Sequence, residues 1–146
     1  MLKFILPLAF LMAITPSTQA DLWTTDWTEA QAMSKEQEKP ILLVFCGLDW
    51  CRSCILQENE IFNQTAFESY AKEELILVKA NFPRRKKNQL EDSLRLQNEQ
   101  LAEKYNPTGS FPYNVLISPE GKVLGSCSYR AGGTEPFLKL LASWSE

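Results

Sequence analysis

Two cysteines separated by two residues, Cys51 and Cys54, have the widest chemical reach of any residues in this sequence. A Cys-x-x-Cys pair can open and close a disulfide, or supply half the ligands of a zinc site. Its surroundings bear on which. Ile41-Leu42-Leu43-Val44-Phe45-Cys46 is a continuous apolar run between Pro40 and Gly47, the pattern of a strand buried on both faces. Gly47-Leu48-Asp49-Trp50 makes a short turn, and Ile55, Leu56, Ile61 and Phe62 then recur at mostly helical spacing. Cys51 is thereby expected at or next to the first residue of a helix. Unpaired backbone N–H groups and the positive end of the helix dipole favour a thiolate there. Cys54 lies further into the helix, within disulfide reach but less exposed. Cys51 is expected to attack and Cys54 to resolve the mixed disulfide, with Arg52 adding positive charge beside the nucleophile.

Two other readings of the pair compete with redox chemistry. A zinc site needs four ligands and would have to recruit the isolated Cys46 and Cys127. A purely structural bridge is the second, although so short a loop constrains little of the unfolded chain. The absence of histidine excludes His-dependent serine and cysteine hydrolases and His-containing zinc or copper sites. No metal and no cofactor beyond the Cys51–Cys54 disulfide is expected. Cys46, at the end of the apolar run, reads as a buried free thiol behaving as a small apolar residue. Cys127 falls in an edge hairpin, and both are expected to be reduced and inert. Trp50 reads as a docking surface over the site, with a simple core tryptophan as the alternative. Arg84-Arg85-Lys86-Lys87 reads as a solvated loop. At the active-site end of a sheet it could instead attract acidic partners, or favour the Cys51 thiolate if it folded back within a Debye length of about 8 Å.

The elements that must hold these residues follow from periodicity and turn chemistry. A cap at Asp26 or Thr28 starts a helix running to about Gln37, closed by Lys39-Pro40. A helical piece over about Thr65–Glu73 leads into a second buried strand, Leu75–Asn81. Pro83 to Asn88 is a charged loop, and Leu90, Leu94, Leu101 and Tyr105 give the next helix one apolar face. Tyr113–Ser118 and Val123–Ser128 form a hairpin across Pro119-Glu120-Gly121-Lys122. Thr134 caps a last helix whose Phe137, Leu140, Leu141 and Trp144 share one face. Strand–helix–strand crossovers followed by a hairpin predict an α/β sandwich with a mixed central sheet flanked by helices.

Lys3, the apolar run Phe4–Ile14 and the small residues up to Ala20 have the layout of a secretory signal peptide, with cleavage between Ala20 and Asp21. An uncleaved anchor is the alternative, but the run is too short to span a bilayer, which needs about 20 apolar residues. Residues 21–146 are then expected to form a single exported domain, with nothing that demands more than a monomer. With 15 Lys and Arg against 18 Asp and Glu, the chain carries a net charge of −3 and no broad basic face, a poor match for nucleic acid.

From about Trp27 to the C-terminus the chain resembles the thioredoxin superfamily. The resemblance rests on Lys39-Pro40-Ile41-Leu42-Leu43-Val44-Phe45, on Asp49-Trp50-Cys51-Arg52-Ser53-Cys54, on Phe111-Pro112 opening a strand, and on Pro119-Glu120-Gly121-Lys122. It is similar in particular to exported thioredoxin-like disulfide reductases, the DsbH type and the C-terminal domain of DsbD. The resemblance implies a thioredoxin-like fold, Cys51 as nucleophile, Cys54 as resolver, and Pro112 as a cis-proline facing them. The backbone of Phe111 would there pair with an extended substrate segment; an ordinary trans proline at a strand start is the alternative. It also implies a periplasmic home, exported disulfide-bearing proteins as partners, and a membrane electron donor of DsbD type. Net oxidase or isomerase activity, or a redox-linked binding module without turnover, are the competing functions. Two departures stand out. The dipeptide Arg52-Ser53 replaces Gly-Pro, and this dipeptide tunes the redox potential. The buried acid that thioredoxin carries on the strand before its motif is missing, its place taken by Val44 or Phe45. Water or Glu58 would then accept the proton of the resolving thiol.

Overall fold

The structure is a computed structural model that describes residues 22–146; the expected signal peptide lies outside the described residues. Five strands form one mixed sheet in the order β1-β3-β2-β4-β5: β1 (Trp23–Thr24), β2 (Ile41–Cys46), β3 (Ile76–Asn81), β4 (Tyr113–Ile117) and β5 (Val123–Ser128). β1, β2 and β3 run parallel, β4 pairs antiparallel with β2, and β5 pairs antiparallel with β4. Helices α1 (Trp27–Gln37), α2 (Arg52–Gln57), α3 (Thr65–Glu74), α4 (Asp92–Tyr105) and α5 (Thr134–Trp144) cover the sheet. The mixed α/β architecture is the one the hydrophobic pattern predicts. The two-residue β1 is an addition, too short to show a period.

β2 is central, and its uninterrupted apolar run has a direct cause. Side chains alternate across a strand. Leu42, Val44 and Cys46 therefore join the layer containing Phe62, Phe67, Phe137 and Leu141, beneath α2, α3 and α5. Ile41, Leu43 and Phe45 enter the opposite layer with Ala30, Leu101 and Tyr105, beneath α1 and α4. All six β2 residues are buried, because neither face meets water.

Local chemistry sets the helix ends. The Asp26 side chain accepts from the Glu29 N–H at 3.0 Å and starts α1. Its far end closes on Glu38, in the left-handed region at φ 55°, with the cap N–H donating to the Ser34 carbonyl. α2 passes directly into a π-helical turn, Glu58–Phe62, which the sequence pattern did not signal. In α4 the buried face is not purely apolar. Asn98 occupies its middle and donates to the Asn81 carbonyl at 3.1 Å, while Leu94 is only half-buried.

Candidate active site

The strand-to-helix turn after β2 is wound tightly around Gly47. Its carbonyl accepts from the Trp50 N–H at 3.2 Å and the Cys51 N–H at 2.7 Å. A Cβ at Gly47 would overlap the Trp50 indole, so the turn requires glycine for close approach. Cys51 is the N-cap of α2, extended at φ −97° and ψ 106°, and its Sγ accepts from the Cys54 N–H at 3.2 Å. The Ser53 hydroxyl lies 3.6 Å from the same sulfur. Cys51 and Cys54 are joined in a disulfide, with Cα atoms 5.2 Å apart. Cys54 is 1% exposed against 6% for Cys51, and its sulfur accepts from the Gly47 N–H at 3.4 Å. Both are buried, and Cys51 is the more exposed of the two.

The peptide bond between Phe111 and Pro112 is cis, and Pro112 is buried at the start of β4. Trp50 meets Phe111 edge-on at 5.4 Å between ring centroids, as Phe82 does from another side. The Trp50 indole N–H donates to the Phe82 carbonyl at 2.7 Å, so the ring is half-buried with both ends engaged. One turn beyond Cys54, Gln57 and Asn114 of β4 exchange side-chain amide hydrogen bonds of 3.1 and 2.8 Å. Both are buried, and they tie the cysteine helix to the strand that Pro112 opens.

The basic cluster folds back on this turn. The Asp49 carboxylate accepts from the Arg84 N–H at 3.0 Å, the Arg85 N–H at 2.9 Å and the Asn88 side chain at 3.0 Å. The Arg84 and Asn88 hydrogen bonds hold the Asp49 carboxyl down at about 2, below its ordinary 3.8. Lys86–Asn88 form a short 3-10 turn, so part of the expected loop is regular. The Arg84 guanidinium lies over the Trp50 ring, 3.7 Å from its centroid.

Beneath the site sits a carboxylate–ammonium pair that the sequence reading touched on one side only. Of the two positions considered for the missing acid, Val44 faces the α2 layer and Phe45 the opposite one. Lys79, paired in register with Val44, reaches Glu58 at 2.7 Å with both side chains largely buried. Glu58 Oε1 has this ion-pair contact and, among the described residues, no donor at hydrogen-bond geometry. Cys46 is close enough to feel both charges, yet burial dominates and pushes its thiol up to about 12. Burial also raises the Cys127 thiol. Both cysteines are free, with β4 between their strands. Asp49, Gln57, Asn114, Phe82 and Lys79 were not singled out from sequence. Asp49, inside the motif that carries the resemblance, was the one with a signal.

Residues 22–116 match the model of a family described as thioredoxin-like. The chain belongs to the thioredoxin-like family. It is 34% identical over 133 residues to the disulfide bond reductase DsbH of Chlamydia pneumoniae, covering 91% of this chain and 78% of that one. A solved structure of a DsbH oxidoreductase superposes with a TM-score of 0.77 at 32% identity, over 84% of this chain and 82% of the other. The oxidised C-terminal domain of Neisseria meningitidis DsbD shares the fold, with a TM-score of 0.56 at 16% identity over 80% and 89% of the two chains. The thioredoxin-like fold and thiol–disulfide oxidoreductase activity that the resemblance implies therefore hold.

Proposed function

We propose that this thioredoxin-like protein works in the periplasm as a reductase, passing two electrons to disulfides of exported proteins. The observation that carries the reading is the Cys51 sulfur at the N-cap of α2, accepting the Cys54 N–H and more exposed than that of Cys54. In the reduced protein that N–H and the helix dipole stabilise a thiolate at Cys51. The thiolate attacks one sulfur of the substrate disulfide. A Cys51–substrate bond forms and the other substrate sulfur leaves as a thiolate. The Cys54 thiol then loses its proton and attacks Cys51. The mixed disulfide breaks, the second substrate thiolate leaves, and the Cys51–Cys54 disulfide closes. The substrate gains two electrons and two protons, and a dithiol donor of DsbD type restores the pair.

Glu58 is the acceptor for the Cys54 proton. It lies one helical turn past Cys54, largely buried, with its Oε1 2.7 Å from the Lys79 ammonium. The Lys79 ammonium beside it offsets the change of charge when the proton moves. Trp50, Phe111 and Pro112 form the ledge on which an extended substrate segment lies, and Arg52 and Ser53 modulate the sulfur beside it.

The reductase direction is supported by similarity to a disulfide bond reductase. Thiolate stabilisation at Cys51 pulls the other way, since it makes the disulfide more oxidising. The reduction potential, measured together with the thiol state trapped in cells, decides. A potential near about −270 mV with a reduced pool supports the reductase; one near about −120 mV with an oxidised pool overturns it.

A further inference from the structure

A strongly charged patch beside the site has a definite architecture. Arg52, Arg84, Arg85, Lys86 and Lys87 account for five of the chain's 15 Lys and Arg. All five are exposed, and among the described residues none is in an ion pair. The rest of the chain, with 10 such cations against 18 acids, is decidedly negative. Positive charge is thus gathered at the mouth of the site.

The loop bearing four of these cations is docked, not loose. Asp49, two residues before the nucleophile, grips the backbone of Arg84 and Arg85 and the Asn88 side chain. Gln89 closes the loop by donating to the Pro83 and Arg85 carbonyls, each at 3.2 Å. The acid in their midst is therefore already engaged by amide donors. Asp92, further on, is turned to Arg95. Arg84 lies on the ring of Trp50, and Trp50 abuts Phe111. A polypeptide laid along Phe111 and Pro112 with its sulfur at Cys51 would bring its flanking residues under these charges.

We propose that the loop Pro83–Gln89 selects substrates: it docks disulfide-bearing polypeptides that carry Asp or Glu beside the attacked cysteine. The proposal rests on the reading of Cys51 as the exchanging nucleophile, but not on the net direction of electron flow. Exposed charges act mainly through encounter, so the preference belongs in kcat/KM and is screened by salt. Each acidic residue also finds guanidinium or ammonium donors that are in no ion pair among the described residues.

The test uses reduced protein and three peptides with the same disulfide, flanked by three Glu, three Ser or three Lys. The uncharged hydroxyethyl disulfide reports the chemistry at Cys51 apart from docking. At low salt the acidic peptide should exceed the basic one by about tenfold in kcat/KM, shrinking toward about twofold near 0.5 M salt. Combined Arg85→Ser, Lys86→Ser and Lys87→Ser should bring that ratio near one. Equal rates for the three peptides, or an unchanged ratio in the triple variant, overturn the proposal. Tight binding of duplex DNA at physiological salt without peptide discrimination overturns it in favour of a nucleic-acid surface. Failure to reduce even hydroxyethyl disulfide strikes the exchange reading itself, and the proposal falls with it.

Discussion

Cys51 and Cys54 stand three residues apart and differ in geometry. Cys51 caps the helix and takes a backbone N–H at 3.2 Å, while Cys54 is sealed under the turn against the Gly47 N–H. A Cys54→Ser variant should accumulate the mixed disulfide at Cys51, seen as a stable adduct by mass. Glu58→Gln should leave the first attack unchanged and slow release from the mixed disulfide by about ten- to a hundredfold, read in a stopped-flow trace. Equal slowing of both steps would mean that Glu58 serves only to pair with Lys79. Residue roles were unevenly legible in the sequence. The cysteines announce themselves by spacing. Gln57 and Asn114 do not, because their partners lie 57 residues apart and a polar residue alone gives no sign of burial.

At the scale of elements, the turn before α2 and the loop after β3 behave as one unit joined by Asp49. Its carboxyl is held at about 2 in the folded protein against an ordinary 3.8. A lowered folded value means that ionised Asp49 supports the loop fully above about pH 4. That support is lost as pH falls toward 2. Acid titration should therefore shift Trp50 fluorescence over that range, as Arg84 leaves the ring, and Asp49→Asn should abolish the dependence. A shift of the same size in the variant would show that the loop is held by other contacts. Periodicity found β2, β3, the hairpin and α5, whose apolar residues repeat cleanly. It missed the π-helical turn at Glu58–Phe62 and the docking of the basic loop. Both depend on contacts that local composition does not encode, and in α4 Asn98 occupies a place where periodicity expects an apolar residue.

The whole molecule positions the site by sandwiching one strand between two apolar layers. β2 contributes Leu42, Val44 and Cys46 to one layer and Ile41, Leu43 and Phe45 to the other, then delivers the chain to Gly47. Leu42→Ala should cost about 2–5 kcal/mol in denaturant unfolding, because neither layer can collapse into the gap without moving the sheet. A loss below about 1 kcal/mol would mean the layers repack freely. The α/β class was readable in the sequence because buried parallel strands leave long apolar runs; the two-residue β1 is too brief to leave one.

The most direct test is the pH dependence of alkylation of the fully reduced protein, resolved by cysteine. Cys51 should react first, with a midpoint well below the free-cysteine value of about 8.5. Cys46, its thiol pushed up to about 12 by burial, should stay unmodified at neutral pH. A Cys51 midpoint at about 8.5, or prior modification of Cys54, would contradict the account.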